Sequence, residues 1–121
     1  MFKATLARLI ERTEGATGAL IMGTDGIAVE KVLTSEANEK NLDVAAAEFT
    51  TLLRSAQRIG ADTGIGQVRE IIVGFDDMRV LIRAFSREYF AVLALREDGN
   101  LGRGRFELRK AELDLAREFA M

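Results

Sequence analysis

The chain has 121 residues, 48% of them hydrophobic and 30% charged, enough for one apolar core under a solvated surface. A formal charge of -2 gives no general attraction for a phosphate backbone, so nucleic acid is not an expected partner. Cysteine and histidine are absent, which removes disulfides, thiolate nucleophiles, cysteine-ligated zinc and the commonest general base.

One domain over 1–121 is therefore expected. The start, MFKATLARLIER, is too short and too regularly interrupted by charge to read as a signal peptide. No apolar run approaches the roughly 20 residues that span a bilayer. The expectations are no membrane insertion and a cytoplasmic location.

Phe2, Leu6, Leu9 and Ile10 recur at helical spacing opposite Lys3, Arg8, Glu11 and Arg12, predicting an amphipathic first helix that stops at Gly15. The period then changes. GALIMG and IAVEKVL flank Thr24-Asp25-Gly26, and Asp-Gly signals a hairpin turn, so a β-hairpin is expected from about Ala16 to Leu33. Glu30 and Lys31 suit its second strand to a sheet edge. TSEANEKN reads as a surface loop leading to Asn41 or Asp43, either of which can cap the next helix.

That helix is predicted from Asp43 to Gly60, about 27 Å at 1.5 Å per residue. Its alanines at 45, 46, 47 and 56, beside Phe49, Leu52, Leu53 and Ile59, spread apolar surface wider than the roughly 100° that a helix packed only on its own sheet needs. GADTGIG reads as a helix cap and flexible linker. QVREIIVGF, RVLIRAF and YFAVLALR follow as three strands joined by the short turns Asp76-Asp77-Met78 and Ser86-Arg87-Glu88. The last strand is apolar on both faces, as at the centre of a sheet covered on both sides. A helix from about Arg105 to Phe119 closes the chain. The order αββαβββα predicts an α/β fold with three layers, α/β/α, around five antiparallel strands.

The glycines of DGNLGRGRF raise the question of an anion cradle at a helix start. A Walker A loop needs Gly-Lys-Ser/Thr, and this stretch has neither the lysine nor the hydroxyl. A calcium loop fails because leucine, glycine and arginine stand where oxygen ligands should follow Asp98 and Asn100. A tight strand-to-helix reversal through Gly99, Gly102 and Gly104, with Leu101 plugging the core, accounts for it. Asp76 and Asp77 suit a hairpin turn, and no nucleophile, base and orienting group stand together. No catalytic residue, cofactor or metal is expected.

With this element order, GALIMGTDGIAVEK resembles the first hairpin of the Roadblock/dynein light chain family, with Gly26 after the acidic turn residue. The segment EDGNLGRGRFELRKA resembles that family's Asn-Leu-Gly-x-x-Arg signature, at Asn100, Leu101, Gly102 and Arg105. The resemblance spans nearly the whole chain and points to bacterial MglB-like members. It implies a profilin-related fold with sheet order 2-1-5-4-3, in agreement with a central Tyr89–Leu95 strand.

It further implies a homodimer or heterodimer in which third strands pair and second helices lie side by side. Gln67–Phe75 is then the pairing strand, with Arg69, Ile71 and Val73, and Asp43–Ile59 the pairing helix, with Phe49, Leu52, Leu53 and Ala56, although from the residues alone Phe49, Leu52 and Leu53 equally suit the core. Members bind small Ras-like GTPases or act as scaffold subunits, and MglB-type homodimers accelerate GTP hydrolysis. Unlike those bacterial relatives, this chain is expected to carry no long terminal tails. The expected function is a homodimeric regulatory adaptor for such a GTPase, the alternative a passive scaffold subunit. Arg54, Arg58 and Arg87 are candidates to reach a transition state in the partner, or else members of a solvated face.

Overall fold

A computed structural model describes residues 2–34 and 39–120. The elements run α1 (Phe2–Arg12), β1 (Ala16–Gly23), β2 (Ala28–Leu33), α2 (Glu39–Thr63), β3 (Glu70–Gly74), β4 (Met78–Ala84), β5 (Tyr89–Arg96) and α3 (Leu101–Ala120). All neighbouring strands are antiparallel, in the order β2-β1-β5-β4-β3. This is the expected αββαβββα fold.

Strand alternation divides the core into two halves. Ala19, Ile21, Leu81, Ala91, Leu93 and Leu95 face α1 and α3, meeting Leu6, Leu9, Leu108 and Leu115. Leu20, Met22, Val80, Ile82, Phe90 and Val92 face α2, meeting Leu42, Ala46, Phe49 and Leu53. β1 and β5 therefore bury both faces, which is why their sequences are apolar without alternation.

The Asp-Gly hairpin forms as expected. Gly23 N donates to Ile27 O at 2.9 Å, and Gly26 takes a φ of 90° that only glycine adopts easily. β2 is an edge, and a register shift at Ile21/Met22 bulges its pairing with β1.

Three elements differ from expectation in their boundaries. α2 already includes Asn41 and Asp43, so neither is its cap; the loop expected before it falls largely on residues 35–38, outside the described residues. Leu42 is buried in the core and Lys31 of β2 holds Asp43 at 3.1 Å, so tertiary contacts fix that turn as helix. At its other end α2 runs through Gly60 to Thr63, where Gly64 (φ 73°) donates its N–H to Gly60 O at 3.1 Å. β3 is shorter than expected. α3 begins at Leu101 and not at about Arg105, so Gly102 and Gly104 are helical residues rather than parts of the reversal.

Candidate functional site: the β3 edge and the outer face of α2

β3 is the second edge of the sheet, and it differs from the first. It pairs with β4 without a register shift and contains no proline. Ala84 N donates to Arg69 O and Phe75 N to Met78 O, so residues of odd number turn their backbone groups to β4. Glu70, Ile72 and Gly74 consequently present N–H and C=O to the open side. This is an unblunted template for another strand, whereas β2 carries the bulge and the charges of Glu30 and Lys31.

The side chains of β3 alternate between layers. Ile71 packs on the α2 side, and Phe75 sets its ring 6.5 Å from that of Phe49. Glu70 points the other way, where both Arg105 nitrogens Nε and Nη2 donate to its carboxylate at 3.0 and 2.9 Å. That bidentate bond from Arg105 holds the Glu70 carboxyl below the usual carboxylate range, against a smaller opposing effect of burial. Ile72 shares the parity of Glu70 and is 43% exposed.

On α2 the helical phase separates the expected interface residues. Phe49 and Leu53 are 7% and 1% exposed, because positions 42, 46, 49 and 53 form the stripe that packs on the sheet. Those two side chains serve the chain's own core. Leu52 remains 42% exposed and Ala56 half-buried. Val44 and Ile59, at 67% and 58%, add apolar surface outside the core stripe. Arg54 and Arg58 are exposed on α2, and Arg87 is exposed in the β4–β5 turn. Arg69 is exposed just ahead of β3, while Ile71 and Val73 are partly covered.

The Asn-Leu-Gly-x-x-Arg stretch has a structural use at every position but one. Asn100 caps α3: its Oδ1 accepts the Arg103 N–H at 3.0 Å. Its own N–H donates to Glu14 O at 2.9 Å, and Arg96 N donates to Gly15 O at 2.8 Å, stitching the β5–α3 turn to the α1–β1 turn. Gly15 and Gly99 lie back to back, so that a Cβ on Gly15 would strike the Gly99 backbone. Of the three glycines expected to make the reversal, Gly99 is the one at this close approach. Leu101 packs against the α1/α3 half of the core, and Arg105 holds Glu70. Gly102 has only ordinary clearance around it. Gly104 is buried, and its missing side chain lets α3 close on Leu81, Leu93 and Thr13.

The residues that the sequence reading missed are Glu70, Ile72 and Phe75. A period of two through QVREIIVGF separates Ile72 from Ile71; nothing local signals the Glu70–Arg105 bond, whose partners stand 35 positions apart. Among the described residues no group of three or more acidic side chains is placed to hold a metal ion. No described helix is long and apolar enough to cross a membrane.

A comparison with curated proteins found no match. Among solved structures, MglC from Myxococcus xanthus is 34% identical, with 97% of this chain and 98% of that chain covered and a TM-score of 0.74. The gliding protein MglB from Thermus thermophilus is 21% identical over 95% of this chain and 85% of that chain, with a TM-score of 0.84. A Roadblock/LC7 domain from Streptomyces avermitilis shares only 15% identity but reaches a TM-score of 0.86, over 98% of this chain and 97% of that one. Residues 2–94 match the profile of the Roadblock/LC7 domain, and with the sheet order and the α3 motif in hand, the chain belongs to that family.

Proposed function

We propose that this chain is a cytoplasmic, homodimeric regulatory adaptor whose paired α2 helices form a platform for a small Ras-like GTPase. It changes GTP hydrolysis or nucleotide state by contact and supplies no catalytic machinery of its own. The observation that carries this reading is the open β3 edge on the same chain as an α2 with exposed Leu52 and Ile59.

In such a dimer the outward-facing backbone groups would set how the two copies meet. An antiparallel pair about a two-fold axis uses all three outward residues only when Ile72 faces its own copy and Glu70 faces Gly74. Gly74 offers no side chain to crowd Glu70 or its bond to Arg105, and a Cβ there would meet open space. The same register sets Ile71 opposite Val73 and Arg69 opposite Phe75 of the second copy. Leu52, Ala56 and Ile59 then supply apolar area between the two α2 helices, with Arg54 and Arg58 on the platform.

The higher identity to an MglC than to the MglB above favours keeping a second reading, a scaffold subunit that pairs with another Roadblock chain through the same edge. Light scattering separates the two. The mass of the purified chain is measured alone and with a Ras-like GTPase loaded with a GTP analogue or with GDP. A dimer that gains mass with the GTP form supports the adaptor, and Arg54→Ala with Arg58→Ala should then weaken stimulation. A dimer that ignores both forms favours the scaffold, and a monomer removes the homodimeric adaptor and leaves only a scaffold subunit that pairs with a different chain.

A further inference from the structure

β4 continues to Ala84 opposite residues that have already left β3, and the chain from 64 to 69 swings away toward the end of α2. Gly64 and Gly66, with φ of 73° and 114°, make that path possible. Between this segment, α2 and the β4–β5 turn lies a cleft of about 670 Å³, within the range of small-molecule sites. Gly60 and Gly66 close one wall. A Cβ on Gly60 would collide with Gly66 O, so the helix end and the loop approach as only glycine allows.

The cleft has an apolar lining and a cationic rim. Val68 and Phe85 line it, each packed against the edge of one half of the core. Arg69 and Arg87 stand on it from different segments, exposed and with no side-chain hydrogen bond or ion pair among the described residues. The carboxylate in the lining, Glu112, is already neutralised by Arg83 at 3.2 Å. The segment carrying Arg87 is held in place, because Ser86 Oγ accepts the N–H groups of Glu88 and Tyr89 at 3.2 and 3.1 Å. Two uncompensated guanidinium groups beside an apolar lining suit a ligand with one anionic end and one apolar body.

We propose that this cleft binds an amphipathic organic carboxylate, an aryl-alkyl or medium-chain acid. Its carboxylate lies between Arg69 and Arg87 and its body rests on Val68 and Phe85. The inference does not depend on GTPase binding.

The test is an NMR titration of the isotopically labelled full chain with 4-phenylbutyrate and, separately, octanoate. Expected are saturable shifts of the Gly64, Gly66, Ser86 and Arg87 amides for at least one acid, with a Kd below about 1 mM. Arg87→Gln and the neutral 4-phenylbutanamide or octanamide should each weaken binding by about tenfold or more, the loss of one charge-assisted contact. Arg69→Gln should do the same, with the mass measured in the same samples so that altered self-association is not mistaken for lost binding. The proposal is overturned if neither acid saturates, if the shifts lie elsewhere, or if acid and amide bind alike.

Discussion

The two neighbouring glycines of α3 do opposite work. Gly104 is packed beneath Leu81, Leu93 and Thr13, whereas Gly102 sits exposed in the first turn with room for a methyl group. Gly102→Ala should therefore stabilise the protein, by up to about 1 kcal/mol, because alanine loses less freedom on entering a helix. Urea unfolding checks it, and a destabilised variant would return Gly102 to a turn-forming role. Arg105 offers a test with a sign. Its bond lowers the Glu70 pKa in the folded chain, so the unfolded chain holds that proton more tightly and acid favours unfolding. The stabilisation is present above the ordinary glutamate value of about 4.3 and lost as pH falls through the lower folded value. Arg105→Ala should thus melt earlier than the parent at pH 7, with the difference shrinking as the pH falls below about 4.3; equal melting at pH 7 would make the bond energetically silent.

The elements show where local reading succeeds. β1, β5 and the Asp-Gly hairpin were legible because their information is local: unbroken apolar runs for strands buried on both faces, and a turn residue that needs positive φ. The ends of α2 were not legible. Asn41 and Asp43 carry the residue types of a cap, yet the burial of Leu42 and the Lys31–Asp43 pair override that preference. Gly60 and Gly104 likewise resemble helix breakers, and only the approach of another layer reveals why they sit inside helices. On α2 the sequence alone does not separate Phe49 and Leu53, which lie in the core, from the exposed Leu52, because only the packed sheet sets the helical phase. Gly60→Ala tests the crowded end of α2. It should cost about 1–3 kcal/mol in urea unfolding, the range for overpacking a tight contact. A neutral result would mean that the 64–69 segment yields easily.

For the whole molecule, the proposed pairing makes a sharper demand than dimer formation alone. Ile72 turns its N–H away from β4, so Ile72→Pro removes an outward donor and spares the ladder inside the chain. The variant should stay folded by circular dichroism yet elute near 13.3 kDa, where the parent should elute at twice that mass. A folded variant that remains dimeric would show that the copies meet elsewhere.

The unequal edges of the sheet carry a consequence for growth. An edge that accepts a strand on each side of every subunit would let copies add without end, and the product would be a fibre. Here the bulge and charges of β2 discourage addition on that side, leaving one adhesive border at β3. A single border, joined to its own copy across a two-fold axis, is used up in the joining. In the proposed pairing, the polymerisation that open β-sheets invite would stop at its first step.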